Sequence, residues 1–146
     1  CQGLEVPCLN TENGISKRAR GAGYALAEDL QILGLHKADI YYSPQQATDE
    51  TSQILFGYNA QAEPRLAQCT DGYPLLDVTM ENKHSERNLV FVVDEQCISE
   101  FQKSLGTSPN DFTYATILFA EFPSASGKPR LIGFVKAEDW LATFGW

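Results

Sequence analysis

A continuous apolar run lies in the second half of the chain, and polar positions follow it. Leu89 to Val93 are five consecutive apolar residues, rich in β-branched and aromatic side chains, without polar alternation. Such a run is typical of a strand covered on both faces, so we predict a strand in the middle of a sheet. Three polar residues come next, and from Ile98 apolar positions recur at helical spacing until Gly106. The pattern therefore predicts a buried strand, a polar segment and a helix.

The apolar pattern also predicts helices and a strand earlier in the chain. From Ile15, small and apolar residues recur at spacings of three and four, which indicates one amphipathic helix ended by Gly34. Ala38 to Tyr42 is short and aromatic, as in a second buried strand. Ser43-Pro44 ends that strand before a helix from about Gln46 to Phe56. Helix, strand and helix in this order indicate a parallel sheet.

The remaining segments are less regular. Asn59 to Cys69 is expected to be irregular, and Tyr73 to Met80 fits either a strand or a helix. Phe112 to Phe122 and Arg130 to Val135 are strand-like and flank a proline-containing turn, so they are expected to pair as an antiparallel hairpin at a sheet edge. The sequence thus predicts one α/β domain over residues 1–146, with a three-layer, mostly parallel sheet flanked by helices and an antiparallel edge hairpin.

The polar segment after the apolar run is the first candidate site. In open α/β sheets, ligands bind at the carboxyl ends of the parallel strands, where Asp94, Glu95 and Gln96 are expected to lie. Adjacent carboxylates can act as a general acid and base. Acidic residues ahead of a helix more commonly interact with its amino-terminal dipole. Both roles are open at this point, and helix capping is favoured.

Charge excludes several partners. The 146 residues carry a formal net charge of −8, and the isoelectric point is near 4.6. Nucleic acid is excluded because its binding depends on lysine and arginine neutralising phosphates. The sequence contains no apolar run long enough to span a bilayer. A protein partner or self-association is left open, the class of any small-molecule ligand is not indicated, and no cofactor is expected.

Four cysteines indicate the compartment. They form an even set without a CxxC pair, and no histidine lies at ligand spacing, so no metal site is expected. Two disulfides are favoured over free buried thiols, which predicts a periplasmic or secreted protein. A cysteine as first residue suits a mature chain trimmed of a leader, and a lipid anchor at Cys1 is left open. The cysteines are Cys1, Cys8, Cys69 and Cys97.

Several short motifs, taken in order, resemble the histidine phosphatase superfamily. The likeness covers roughly residues 1–106 and is strongest to its periplasmic branch, which includes lipopolysaccharide core heptose phosphatases. The resemblance implies that fold, with disulfides Cys1–Cys8 and Cys69–Cys97. The motifs are Thr11 to Gly14, Arg18-Ala19 with Gly23 and Leu26, Ile40 to Pro44 with Thr51, and Leu89 to Val93.

The catalytic residues of that family are not matched. Its reaction needs a histidine nucleophile, a second histidine and two arginines that bind phosphate. The first arginine-histidine motif would fall before Cys1 in this register. Ala47, or its neighbour Thr48, stands where an arginine is expected, and Asp94 stands where the second histidine is expected. The resemblance therefore implies a degenerate pocket at Ser43, Ala47, Asp94 and Glu95.

No other histidine is expected to substitute. The chain has two, His36 and His84, and both precede predicted strands, so we expect surface histidines at the opposite edge of the sheet. A five-residue strand spans about 17 Å, which is too far for an imidazole to reach across.

Three functions follow. The favoured one is a catalytically degenerate, extracytoplasmic module used for binding or assembly. The second is an active periplasmic phosphomonoesterase whose arginine-histidine motif lies upstream of residue 1. The third is a structural subunit completed by a partner's strand, because residues 1–14 offer only Leu4 to Val6 as strand material beside the apolar run.

Overall fold

A computed structural model describes residues 10–11, 14–15, 17–70, 72–84, 86–108, 116–122, 129–136 and 139. The strands are β1 (Asn10–Thr11), β2 (Gly14–Ile15), β3 (Asp39–Tyr42), β4 (Ala60–Ala62), β5 (Leu89–Val92), β6 (Ile117–Glu121) and β7 (Arg130–Val135). The α-helices are α1 (Lys17–Ile32), α2 (Gln46–Phe56), α3 (Pro74–Asn82) and α4 (Glu95–Ser104). Short 3₁₀ turns cover Leu35–Lys37, Gly57–Asn59 and Pro64–Ala67.

The succession α1, β3 and α2 agrees with the sequence prediction. α1 ends before Gly34, whose φ of 76° is accessible to glycine at little cost. α2 has the predicted bounds because Pro44 ends the strand and the apolar positions that follow have helical period. For Tyr73 to Met80, the sequence left a strand and a helix open. The structure shows the helix α3, with Pro74 in its first turn.

The parallel sheet has the order β4-β3-β5 among the described residues, which corrects two predictions. β3 is the central strand, and β5, predicted to be central, lies at an edge of this sheet. Burial on both faces, which the sequence indicates, does not specify a strand's lateral neighbours. Ala60–Ala62 was predicted to be irregular but pairs with β3. This strand is short and partly exposed, so it has no apolar pattern of its own.

Helices cover both faces of the sheet, as the prediction of a sheet flanked by helices required. On the side of α1 and α2, the buried cluster is Leu30, Ala38, Ile40 and Phe56, with Val90 and Val92 packed against it. On the side of α3 and α4, it is Leu66, Cys69, Leu75, Val78, Cys97 and Phe101, with Phe91 and Val93 packed against it. The side chains of the apolar run thus alternate between two cores, so both of its faces must be apolar.

β6 and β7 pair antiparallel, as predicted. They form a separate two-stranded sheet among the described residues, which corrects the prediction of an edge hairpin on the main sheet. Leu118 packs against the core of α3 and α4, so side-chain packing connects the hairpin to the domain. The first part of the predicted strand, residues 112–115, lies outside the described residues.

Candidate functional site at the carboxyl edge of the parallel sheet

Ser43 and Asp94, two of the four predicted pocket residues, lie at the carboxyl edge of the parallel sheet. The Ser43 backbone N–H donates to the Val92 carbonyl over 3.0 Å, and the Glu63 N–H donates to the Tyr42 carbonyl over 2.9 Å. The strand pairing therefore continues to this edge. The residues that follow β3, β4 and β5 are held in fixed register there.

Asp94 caps α4. Its Oδ1 accepts a hydrogen bond from the Cys97 backbone N–H over 3.0 Å, and its backbone is extended. This geometry is that of an N-cap, which satisfies one amide that the helix leaves without a partner. α4 therefore begins at Glu95, three residues before the predicted start at Ile98. Of the two roles left open for Asp94, the structure shows capping.

The second oxygen of Asp94 is also engaged. Its Oδ2 accepts from Nε2 of Gln45 over 3.1 Å, and the same amide nitrogen donates to the Ala67 carbonyl over 3.2 Å. Gln45 thus connects the ends of β3 and β5 to the segment after β4. Sequence reasoning missed Gln45, because no local pattern indicates a contact with a residue 49 positions away. Glu95, the neighbouring acid, is exposed in the first turn of α4.

Polar groups in the loop after β3 bond mainly to backbone. Thr48 donates its hydroxyl to the Ser43 carbonyl over 2.6 Å and lies 3.0 Å from the Gln45 carbonyl. Ala47 lies in the first turn of α2 and offers no polar side-chain atom. The Ser43 side chain is fully buried, and its Oγ has no partner among the described residues. Neither Ala47 nor Thr48 supplies the cation that a phosphate would need.

Arg65, near this edge, forms ion pairs with two carboxylates. Arg65 pairs with Glu63 over 3.0 Å and with Glu81 over 2.8 Å. The hydrogen bond from Arg65 is the main cause that lowers the pKa of the Glu63 carboxyl, while burial acts in the opposite direction. Glu63 therefore stays ionised beside the edge that also carries Asp94.

The phenol of Tyr42, at the end of β3, is held protonated. Burial is the main cause that raises its pKa, and the charge of Asp49 and a hydrogen bond to it add to the effect. Tyr42 is thus a neutral donor to Asp49.

A disulfide joins Cys69 to Cys97, with their Cα atoms 4.8 Å apart. It is the pair that the resemblance implied, and both residues are buried in the core of α3 and α4. The bridge connects the segment after β4 to the first turn of α4, where Cys97 lies three residues after Asp94. The other implied pair, Cys1 and Cys8, lies outside the described residues.

Both histidines lie at the opposite, amino edge of the sheet, as predicted. His84 is exposed before β5. His36, in the turn before β3, is partly exposed, and its Nδ1 is buried without a partner among the described residues. It lines an open cleft of about 280 Å³. Sequence reasoning missed this cleft because its walls come from three separate loops and strand starts.

Within the described residues, no group of three histidine, cysteine, aspartate or glutamate side chains is arranged to hold a metal ion. None of the helices there is long and apolar enough to cross a membrane. No protein-family model matches this sequence, and no curated protein matches it.

Proposed function

We propose that this chain is a catalytically degenerate, histidine phosphatase-like module that acts outside the cytoplasm in binding or assembly. One observation carries the proposal. Asp94, at the position where the resembling family has its second histidine, uses one carboxylate oxygen to cap α4 and the other to bind Gln45. A carboxylate engaged in this way holds the edge together and is not poised to transfer a proton or a phosphoryl group.

Charge at the edge supports the proposal. A phosphoryl group carries negative charge, and phosphate sites rely on cations and preorganised donors. Asp94 places a carboxylate at this edge, while the charge of Arg65 is compensated by Glu63 and Glu81. At an effective dielectric constant near 20, two unit charges about 4 Å apart repel by ~4 kcal/mol. Phosphate binding at this edge is therefore disfavoured.

The compartment is supported by the disulfide. A bridge between two buried cysteines is stable in an oxidising environment and rare in the reducing cytosol. Cys69 and Cys97 are both at most 1% exposed, so the bridge belongs to the core. This supports a periplasmic or secreted protein.

The outer edge of β5, which is unpaired among the described residues, favours a second candidate function, a structural subunit completed by a partner's strand. The carbonyls of Asn88 and Val92 accept from β3, so by strand geometry the backbone groups of Leu89 and Phe91 point away from it. Among the described residues no strand pairs with this outer edge. An unpaired edge is suited to strand addition by a partner.

Hydrogen exchange tests the second candidate. In the chain without a partner, we expect the amides of Leu89 and Phe91 to exchange faster than those of Val90 and Val92. A monomer by light scattering in which all four amides are equally protected would show that the edge is already paired, and would rule out completion by a partner.

Titration of the full-length protein with inorganic phosphate, followed through amide signals, tests the main proposal. We expect no saturable shift for residues 43–48 or 94–97. A saturable shift there would show that the carboxyl edge binds phosphate and would overturn the proposal.

A further inference from the structure

The cleft at the amino edge of the sheet is independent of the candidate site. It lies at the start of β3, between the turn before that strand, the start of β4 and the loop before β5, with a volume of about 280 Å³. This volume is at the lower end for ligand sites, so it suits a small metabolite. Most of the lining side chains are polar or charged. They include His36, Lys37, Asp39, Asn59, Gln61 and Arg87.

Charge in the cleft is opposite in sign to that of the whole protein. Lys37 and Arg87 contribute two positive charges, and Asp39 contributes one negative charge, which leaves an excess of +1 with His36 neutral. The chain as a whole carries −8. A local positive site attracts small anions, whereas the negative charge of the rest of the protein repels large polyanions. The cleft therefore favours a compact anion.

Arg87 is positioned before any ligand binds. Its Nη2 lies 2.9 Å from Oδ1 of Asp39 and donates to the Lys37 carbonyl over 3.0 Å. Both contacts use the same nitrogen, which leaves Nε and Nη1 for a ligand. The Arg87 side chain is 53% exposed, so solvent and small solutes reach it. Nε and Nη1 do not form a parallel pair, but each can donate a separate charge-assisted hydrogen bond to an oxyanion.

His36 adds a polar group that lacks a partner. Its Nδ1 is buried and makes no hydrogen bond to the described residues. A buried polar atom without a partner is destabilising.

We propose that this cleft binds a small, polar oxyanionic compound, with its carboxylate or phosphate group on Arg87 and Lys37. Asn59 and Gln61 contribute amide groups on the β4 side, which suits hydroxyl or carbonyl groups on the rest of the ligand. The function of this site is separate from any role of the carboxyl edge.

Amide-signal titrations of the full-length protein with sodium phosphate and with sodium succinate, at constant ionic strength set by sodium chloride, test the proposal. We expect saturable shifts for residues 36–39, 59–61 and 87 with at least one of the two anions. The anion that binds more tightly identifies the group. Arg87→Gln should weaken binding about tenfold, because it removes the charge-assisted hydrogen bonds.

Lys37→Gln provides a second variant, because Lys37 takes part in no ion pair among the described residues and its loss does not disturb the Arg87–Asp39 contact. We expect the Lys37→Gln variant to bind the anion more weakly as well. Arg130→Gln is the matched control, since Arg130 is an exposed arginine in the separate hairpin whose acidic partner among the described residues is Glu121. Binding should be unchanged in this variant.

Non-saturable shifts, or equal weakening in Arg130→Gln and Arg87→Gln, would overturn the proposal. One titration reports on both edges of the sheet, because the amino edge and the carboxyl edge have different amide signals. If no signal moves, this inference fails and the proposed function stands. If only residues 43–48 and 94–97 shift, both fail.

Discussion

Gln45 and Asp94 are hydrogen-bonded across the carboxyl edge of the sheet, with Nε2 of Gln45 3.1 Å from Oδ2 of Asp94. The contact joins the loop after β3 to the amino terminus of α4. Because the other Asp94 oxygen caps that helix, one side chain fixes both the helix start and the distance between two strand ends. The stability of this edge therefore depends on Asp94.

Removal of this side chain should be costly. We expect Asp94→Ala to lower the free energy of unfolding by about 1 to 2 kcal/mol, the usual effect of losing an N-cap. Asp94→Asn keeps a capping oxygen and should lose less. Urea denaturation measures the difference, and Glu95→Ala, an exposed neighbour, should change stability by less than about 0.5 kcal/mol. Equal stability of Asp94→Ala and the wild type would show that the cap is dispensable.

Two glycines of α1 provide a matched pair for the packing of α1 on α2. A Cβ added at Gly23 would lie 2.8 Å from Cγ2 of the buried Ile54, whereas one added at Gly21 would meet nothing within 4 Å. We expect Gly23→Ala to destabilise by about 1 to 3 kcal/mol because the helices must separate. Gly21→Ala should stabilise by roughly 0.5 to 1 kcal/mol through helix propensity. Thermal or urea unfolding of both variants tests the pair, and a stabilising Gly23→Ala would contradict the close packing.

The disulfide should make a large contribution to stability. Cys69 and Cys97 are separated by 28 residues, and closing a loop of this size contributes about 3 to 4 kcal/mol by chain entropy. We expect urea midpoints to fall by the corresponding amount under reducing conditions. Non-reducing peptide mapping checks the pairing directly. Free thiols at both positions would contradict it and remove the argument for an oxidising compartment.

Stability should fall in acid partly through Glu63. Its folded-state pKa is lowered, chiefly by the hydrogen bond from Arg65, so its contribution is present above the unfolded pKa near 4.5 and is lost as pH falls through the lower folded value. The contact is partly exposed, which limits the effect to about 1 kcal/mol or less. Glu63→Gln should flatten the acid arm of the stability profile below pH 4.5. Glu28→Gln, at an exposed position of α1, should leave that arm unchanged, and identical profiles for all three proteins would refute the assignment.

Local signals account for the parts of the fold that the sequence predicts. The bounds of α2 follow from Pro44 and a helical apolar period, and the capping role of Asp94 follows from an acidic residue ahead of a helix. β4 was missed because Ala60–Ala62 carries no apolar pattern, and its strand conformation depends on pairing with β3. The lateral order of the sheet was mispredicted for the same reason, since lateral order depends on tertiary contacts.

In the candidate site, too, local sequence predicts some features and tertiary contacts determine the others. The residue types at Ser43, Ala47 and Asp94 could be identified from the sequence, but the contact of Asp94 with Gln45 could not, because it joins segments far apart in the chain. The cleft around His36 was missed because its residues have no common motif and meet only in the folded protein.

Hydrolysis of a generic phosphomonoester by the full-length protein tests the central claim most directly. We expect no turnover above background and no acid-labile phosphohistidine after exposure to substrate, since in the proposed resemblance Asp94 and Ala47 stand where that chemistry needs a histidine and an arginine. Asp94→Asn, which retains a capping oxygen, should behave like the wild type. Turnover by the wild type that disappears in Asp94→Asn, or a phosphohistidine at any position, would contradict the claim and show an active enzyme.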